Sequence, residues 1–221
     1  MSKLFSNGCS FLGPRPKDNV NTFVTKILAE QYNLQLFNLA MGGRGNDRIS
    51  FTTKLWFEQN GYKDTFAIIG WSSTFRNDYV TNDGWKKGRI PNMELTWRTW
   101  KVADQLRFVN SNHGWDIDDT ATMRFLDHVF DLQTYFKLNK IPYVMYNSLP
   151  NVVNLSNPDF NKIVESIDKK RFFKFNSNHY DFVMKENVIV SPNDPHPSIE
   201  GHTKWTEQLK EFIDANNLRT I

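Results

Sequence analysis

Four short polar segments of the chain contain the residue types that a serine needs for acyl transfer. Three of them contain glycine and follow predicted strands: Gly8-Cys9-Ser10, Gly42-Gly43-Arg44 and Gly70-Trp71-Ser72. The fourth, Asn193-Asp194-Pro195-His196-Pro197-Ser198, contributes a histidine and a carboxylate. Together they supply a hydroxyl nucleophile, a base, an acid that orients the base, and backbone N–H groups that can stabilise an oxyanion.

The elements that must position these segments alternate between strands and helices. Apolar runs predict strands at Lys3–Ser6, Leu34–Leu39, Thr65–Trp71, Ile141–Tyr146 and Asn187–Val190. Periodicity and capping residues predict helices over Asp18–Gln31, from Asn46 or Asp47 to about Asn60, from about Thr120 to Leu138, and over Ile199–Ala215. This alternation predicts a mostly parallel sheet covered by helices on both faces. Ligands bind at the carboxyl ends of the strands in such sheets, so we expect the four segments to converge there.

Length, composition and charge bound the class of protein. The 221 residues suffice for one sizeable domain over residues 1–221, and 39% hydrophobic with 14% aromatic residues excludes a disordered chain. The balance of 27 basic and 24 acidic residues is too even to indicate nucleic-acid binding. Cys9 is the single cysteine, so no internal disulfide can form and a reducing compartment such as the cytoplasm is permitted. Neither a signal peptide nor an apolar run of roughly 20 residues is visible, which predicts a soluble protein with no membrane partner.

One aromatic-rich stretch, from about Thr81 to Asp119, interrupts the alternation. It is too long for an ordinary loop, and we interpret it as an insertion packed over one end of the sheet. Its tryptophans are Trp85, Trp97, Trp100 and Trp115. Most of them are expected to form a small accessory core, whereas one or two could line a substrate cleft. The second interpretation favours a sugar-linked ester, such as an acetyl group on a polysaccharide.

The order of these motifs resembles that of the SGNH/GDSL hydrolases. The run Phe5-Ser6-Asn7-Gly8-Cys9-Ser10-Phe11-Leu12-Gly13 resembles the first block of that family, usually Gly-Asp-Ser-Leu. Asn38-Leu39-Ala40-Met41-Gly42-Gly43 resembles the second block, and Asp194-Pro195-His196-Pro197 with Gly201-His202 resembles the last. The resemblance extends from residue 5 to residue 202. It implies a three-layer, flavodoxin-like α/β sandwich with a five-stranded parallel sheet.

The resemblance also implies a role for each matching residue. Ser10 aligns with the nucleophile, and its N–H together with that of Gly43 would hold the oxyanion, each donor contributing about 3 kcal/mol. His196 would take the proton of Ser10 and return it to the leaving alcohol. Asp194 would hold the imidazole in the required tautomer. No metal or organic cofactor is implied.

Three departures from the family pattern leave questions open. Cys9 stands where the first block has Asp. In Gly70-Trp71-Ser72-Ser73, Ser72 occupies the position of the family's Asn, so Ser72 is the expected third oxyanion donor. Pro195 alone separates Asp194 from His196, which puts Asn193 at the family's usual acid position. An amide cannot stabilise the imidazolium by charge, so we favour Asp194 and keep Asn193 as the alternative.

Several other side chains have both a functional and a structural interpretation. Arg44, Arg76 and Trp71 lie near the predicted rim and are candidate substrate-binding residues, although a structural ion pair is as good an explanation for either arginine. Cys9 is an alternative nucleophile, but a cysteine after a strand is more often a small buried residue. The remaining histidines, His113, His128, His179 and His202, are expected to be structural or exposed.

The residues therefore predict a serine hydrolase that cleaves a carboxylic ester through an acyl-Ser10 intermediate. Its partner would be a small-molecule or glycan ester. Two other classes use the same fold: a non-catalytic glycan-binding module, and a thioesterase or acyltransferase with the same triad. Activity on chromogenic esters separates the first from an enzyme, and acyl acceptors other than water test the second.

Overall fold

The structure is a computed structural model that describes residues 2–81, 96–101, 117–151, 153 and 157–220. Its strands are β1 (Lys3–Gly8), β2 (Gln35–Asn38), β3 (Thr65–Trp71), β4 (Arg76–Thr81), β5 (Thr96–Lys101), β6 (Tyr143–Asn147), β7 (Phe172–Phe173), β8 (Ile189–Ser191) and β9 (Asp194–Pro197). Its α-helices are α1 (Val24–Gln31), α2 (Asn46–Asn60), α3 (Ile117–Leu138), α4 (Pro158–Ser166), α5 (His179–Lys185) and α6 (Ile199–Ala215). Short 3-10 turns cover Ser10–Leu12, Pro16–Asp18 and Lys169–Arg171.

The central sheet has five parallel strands in the order β2-β1-β3-β6-β7. This confirms the predicted α/β class and the five-stranded parallel sheet. Strand β1 lies between β2 and β3, with Leu4 beside Phe66 and Gly8 beside Gly70. The carboxyl ends of β1, β2 and β3 therefore lie side by side, and the polar segments that follow them share one edge of the sheet.

The period-two alternation of the strands divides the core into two layers. Leu4, Ile68 and Val144 face the layer that contains α1 and α6. Phe5 and Ile69 face the opposite layer, which contains α2, α3 and α4. Both faces of the sheet are thus buried, as the continuous apolar runs of the strands predict.

The predicted position of the fifth strand is wrong. The strand at that edge of the sheet is β7, whose two residues pair with Met145 and Tyr146 of β6. The apolar run Asn187–Val190 instead leads into β8, which pairs antiparallel with β9. A parallel partner needs a long crossover, whereas the chain returns directly from Ser191 to Asp194, and so short a return permits only an antiparallel ladder.

The first helix is shorter than its periodicity indicates. It begins at Val24 rather than at Asp18, because the preceding residues form the 3-10 turn Pro16–Asp18. Asn19 follows that turn with φ 55°, a left-handed conformation that ends it. Arg15 and Val20 then form an isolated antiparallel bridge across the loop. The loop that carries Arg15 is therefore closed on itself beside the end of β1.

Much of the predicted insertion, including Trp85 and Trp115, lies outside the described residues. Its first residue ends β4, the strand β5 within it pairs antiparallel with β4, and its last residues begin α3. Trp97 and Trp100 belong to β5, of which only the backbone is described. The roles of the four tryptophans therefore stay a prediction. Among the described helices, none combines the length and apolarity required to cross a membrane.

Candidate active site

The nucleophile turn follows β1 and is held by the side chain of Asn7. The Asn7 Oδ1 atom accepts a hydrogen bond from the N–H of Gly8 at 2.9 Å. Its Nδ2 atom donates to Thr52 and Thr53 of α2 at 2.8 and 3.0 Å. The end of β1 is thereby tied to the helix behind it, and Ser10 emerges at the start of the 3-10 turn that follows.

A second asparagine connects this turn to the loop after β2. Asn38 donates from Nδ2 to the carbonyl of Leu12 at 3.0 Å, and its Oδ1 atom accepts from the N–H of Ala40 at 2.8 Å. The same loop brings Gly42 beside the nucleophile, since a Cβ atom on Gly42 would lie 3.9 Å from that of Ser10. The following residue, Gly43, has φ 77°, a conformation that glycine adopts without strain.

A hydrogen-bonded chain of three side chains joins the two ends of the sequence. The Oγ atom of Ser10 lies 2.9 Å from Nε2 of His196. The other ring nitrogen of His196, Nδ1, lies 2.6 Å from Oδ1 of Asp194. Asp194 and His196 are alternate residues of β9, so their side chains lie on the same side of an extended chain. This geometry is that of a nucleophile, its base and the group that orients the base.

Asp194 is also held by Arg15, a residue that the sequence analysis did not single out. Arg15 Nη2 lies 2.5 Å from Asp194 Oδ2, and Nη1 lies 3.4 Å from Oδ1. The Nε atom of Arg15 donates to Asp18 at 2.7 Å. The carboxylate of Asp194 is therefore fixed on one side by a guanidinium and on the other by the imidazole of His196.

The surroundings of the triad set its charge state. Burial raises the pKa of Asp194, but hydrogen bonds from His196 and the charge of Arg15 outweigh it and hold the pKa below its usual value. Burial lowers the pKa of His196; the hydrogen bond and charge of Asp194 oppose this effect, the nearby charges of Arg15 and Arg76 add to it, and the net shift is downward. At neutral pH the site therefore contains an ionised acid and a neutral imidazole, which is the state that a general base requires.

The triad opens into a cleft of about 690 Å³. The loop from Gly13 to Asp18, the loop from Ala40 to Gly43 and the side chain of Arg76 line it together with Ser10 and His196. The N–H groups of Ser10 and Gly43 form no hydrogen bond to any residue that the structure describes. Two backbone donors thus lie at the cleft beside the nucleophile, as an oxyanion hole requires.

A second cavity of about 690 Å³ lies at the opposite end of the sheet. It is bounded by residues at or before the starts of the strands, among them Lys3, Thr65 and Pro142. No histidine is among the described residues that line it, and the ends of the strands that face it are the amino ends. The ligand crevice of an open α/β sheet lies at the other edge, so the cleft beside Ser10 is the candidate site.

Comparison with solved structures finds a similar architecture in an esterase and in two further proteins. The psychrotrophic esterase EstA from Pseudoalteromonas sp. superposes with a TM-score of 0.51 at 12% identity, over 97% of this chain and 98% of the other. A protein of the G-D-S-L family from Desulfitobacterium hafniense gives 0.52 at 14% identity, over 96% and 99%. The structure of TesA gives 0.50 at 10% identity, over 97% and 99%.

The chain has the SGNH/GDSL hydrolase fold. No family model matches the sequence, and no curated protein matches it either. At these identities the superposition shows the fold, which the sequence motifs predict. The chemistry depends on the side chains that this chain places at the cleft.

Within this SGNH/GDSL fold, three predicted site residues do not reach the cleft. Trp71 is fully buried and packs edge-on against Phe125. Arg44 is 2% exposed and donates to Asn7 Oδ1 at 2.9 Å, inside the protein. Both substrate-binding assignments are therefore wrong. Strand alternation explains Trp71, because it shares a face with Ile69, which lies in the core.

Ser72 is also displaced from its expected role as the third oxyanion donor. It is fully buried, and its N–H donates to Asn46 Oδ1 at 2.8 Å. Its hydroxyl accepts a hydrogen bond from Nη1 of Arg76 at 3.4 Å. The structure thus places the Arg76 guanidinium, rather than the Ser72 hydroxyl, at the cleft.

The structure places Asp194, and not Asn193, against His196. Asn193 is exposed in the turn between β8 and β9. Cys9 is fully buried and burial raises the pKa of its thiol, so a reactive thiolate is disfavoured. His179 and His202 are buried, and His128 lies 3.2 Å from Asp47, while His113 lies outside the described residues.

The residues that sequence reasoning missed are Arg15 and the supporting asparagines Asn7, Asn38 and Asn46. Asn7 and Asn38 lie inside the first and second motif blocks, so the motif pattern already places them near the site. The ion pair between Arg15 and Asp194 joins positions 179 residues apart, and no local pattern indicates it.

Proposed function

We propose that this protein is a serine esterase that hydrolyses a carboxylic ester through an acyl-Ser10 intermediate. One observation carries the proposal: Ser10 Oγ, His196 Nε2 and Asp194 form a continuous hydrogen-bonded chain, with distances of 2.9 and 2.6 Å, at an open cleft. The esterase named among the similar structures supports the same class of reaction, as a fold-level analogy.

In the first half-reaction, His196 accepts the hydroxyl proton as Ser10 Oγ attacks the carbonyl carbon of the ester. The carbonyl π-electrons move onto the oxygen, and the N–H groups of Ser10 and Gly43 stabilise the resulting oxyanion. The intermediate collapses, the bond to the alcohol oxygen breaks, and His196 returns the proton to the departing alcohol. Asp194 stabilises the imidazolium that exists between the two proton transfers.

In the second half-reaction, water replaces the alcohol. His196 takes a proton from the water molecule as its oxygen attacks the acyl carbon, and a second oxyanion forms at the same two N–H groups. Collapse of this intermediate breaks the bond to Ser10 Oγ, which regains its proton from His196. The products are a carboxylic acid, an alcohol and the regenerated enzyme.

The substrate is proposed to be a small or sugar-linked ester, with an acetylated carbohydrate as the leading example. The tryptophans of the 81–119 stretch support this proposal, since indole rings offer flat faces to sugars. The same triad serves a thioesterase or an acyltransferase. A panel of aryl acetates, acetylated oligosaccharides and acyl thioesters, each with water or an added alcohol as acceptor, separates these activities.

The decisive test is labelling with a fluorophosphonate probe followed by peptide mapping. We expect Ser10 to be labelled in the wild type and in Cys9→Ala, the matched control for the neighbouring nucleophile, and labelling to be absent in Ser10→Ala. Ester hydrolysis should follow the same pattern. A wild-type protein that is folded, is not labelled and hydrolyses no ester in the panel contradicts the proposal and favours a binding module.

A further inference from the structure

Arg76 is a partly buried arginine of the cleft whose charge no described carboxylate compensates. It lines the cleft together with Ser10, Gly43 and His196. Among the described residues no carboxylate forms an ion pair with it. Arg15, which also lines the cleft, contrasts with it because two carboxylates neutralise its charge. A partly buried guanidinium with no carboxylate partner among the described residues favours an anion within the cleft itself.

The backbone that carries Arg76 is anchored to the loop that carries Gly43. The N–H of Arg76 donates to the carbonyl of Ser73 at 3.0 Å. Its own carbonyl packs so closely on Gly45 that a Cβ atom there would lie 2.5 Å from the oxygen. The N–H of Gly45 donates to Asp78 at 2.9 Å, which joins the loop to β4 a second time. The start of β4 and the glycine loop therefore form one rigid support.

The side chain of Arg76 then reaches across the end of β3. Its Nη1 atom donates to the buried hydroxyl of Ser72 at 3.4 Å, which holds one edge of the guanidinium of this cleft-lining residue and leaves further N–H donors for another partner. Its charge also contributes to lowering the pKa of His196, so it acts within electrostatic reach of the reacting atoms. Preorganised donors of this kind stabilise charge that develops during a reaction.

We propose that Arg76 supplies a third, positively charged donor to the oxyanion that forms when Ser10 attacks the ester. This inference rests on the proposed function, because the oxyanion exists only if Ser10 forms a tetrahedral intermediate. In the ground state the carbonyl oxygen carries little charge, so the interaction strengthens as the transition state is reached. Arg76 therefore acts on kcat rather than on KM for a neutral ester.

The first test is the Arg76→Ala variant with a small neutral ester such as p-nitrophenyl acetate. We expect kcat to fall by about 10²–10³-fold, as for other oxyanion donors, with little change in KM. Binding of phenylboronic acid, whose adduct with Ser10 is tetrahedral and anionic, should weaken by the same factor as kcat/KM. The acid limb of the kcat/KM profile should move to higher pH, because loss of the cation raises the pKa of His196.

Two further variants and a rescue experiment separate this role from a structural one. Guanidinium ions below denaturing concentrations should restore part of kcat to Arg76→Ala but not to Ser10→Ala. Arg76→Lys, which retains a cation and most of the packing, should give an intermediate kcat and covers the case in which the alanine variant fails to fold. Lys137→Met, the control, removes an exposed positive charge outside the cleft and should leave the kinetics unchanged.

Two results overturn the inference while the proposed function stands. The first is an active wild type whose folded Arg76→Ala variant retains its kcat on the neutral ester. The second is a variant that raises KM only for esters bearing a carboxylate or phosphate, which would assign Arg76 to binding an anionic substrate. If the wild type is inactive and its Ser10 unlabelled, the proposed function fails at the earlier step and the inference falls with it.

Discussion

His196 and His202 lie in consecutive elements of the chain and have opposite environments. His196 is partly exposed, and each of its ring nitrogens has a partner: Ser10 at 2.9 Å and Asp194 at 2.6 Å. His202 is fully buried in α6, and neither of its ring nitrogens forms a hydrogen bond to a described residue. Its ring packs edge-on against His179 at 5.6 Å, within the layer beneath the cleft.

The difference shows what converts an imidazole into a base. Burial lowers the pKa of His202 to about 3, so this side chain stays neutral and serves as a packing group. Burial also lowers the pKa of His196, but the hydrogen bond to Asp194 opposes that shift and fixes the tautomer. Proton transfer therefore depends on one nitrogen held by an acid and the other facing the nucleophile.

The largest expected effect comes from removing the acid that holds His196. Asp194→Asn should lower kcat by up to about four orders of magnitude, because an amide neither stabilises the imidazolium nor selects the correct tautomer. Asn193→Ala is the matched control, since Asn193 is exposed in the adjacent turn, and its loss should be small. Steady-state kinetics on a chromogenic ester, with circular dichroism to check folding, measures both. If Asn193→Ala has the larger effect, the assignment of Asp194 is wrong.

A smaller effect is expected at Arg15, which contacts Asp194 but not His196. Arg15→Met should lower kcat by about tenfold. This effect is at the lower end of what a hydrogen bond to a charged group contributes, because the ion pair between Arg15 and Asp194 is partly exposed. Loss of the cation raises the pKa of both Asp194 and His196. Since activity requires neutral His196, the acid limb of kcat/KM should move to higher pH than in the wild type, whose limb lies below about 6.5.

Arg15→Lys provides the control for this prediction. It keeps the charge but loses the two-point contact with Asp194, so it should restore the position of the acid limb while recovering only part of kcat. A pH profile of Arg15→Met that coincides with that of the wild type would contradict an electrostatic role for Arg15.

Long, regular elements could be predicted from the sequence. Strand β3 and helix α6 have the predicted bounds, because a buried apolar run and an amphipathic period each leave a strong local signal. Strand β7 has two residues and no period, and its position depends on docking beside β6. Its existence is therefore not encoded locally.

The candidate site was predictable to the level of which segments converge, but less so for individual side chains. Ser10, His196 and Asp194 meet as predicted from the motif order and the extended Asp-Pro-His geometry. Arg44 lies in the correct loop but points inward to Asn7. A position near the end of a strand does not specify the direction of a long side chain, and this direction decides whether an arginine binds substrate or supports the fold.

The smallest effect on activity, and the sharpest contrast with His196, is expected for His202. His202→Phe replaces a buried planar ring whose nitrogens contact no described partner, so the change should be nearly neutral for packing, and kcat/KM should stay close to that of the wild type. The variant should nevertheless change how stability depends on pH. The folded-state pKa is depressed to about 3 from the ordinary value of 6.5.

Unfolding at acid pH therefore protonates His202, and its contribution to stability, complete above about pH 6.5, is lost as the pH falls towards 3. His202→Phe should remove about one proton from the uptake on unfolding in this window, which flattens the pH dependence of the unfolding free energy. His196→Gln should abolish activity. It should flatten the pH dependence of the unfolding free energy less than His202→Phe does, because the surroundings of His196 shift its pKa less. Urea denaturation from pH 4 to 7 measures the slope for each variant. A His202→Phe protein that loses activity but keeps the acid sensitivity of the wild type would contradict this prediction. It would show that His202 contributes to the active site and is not only a packing group.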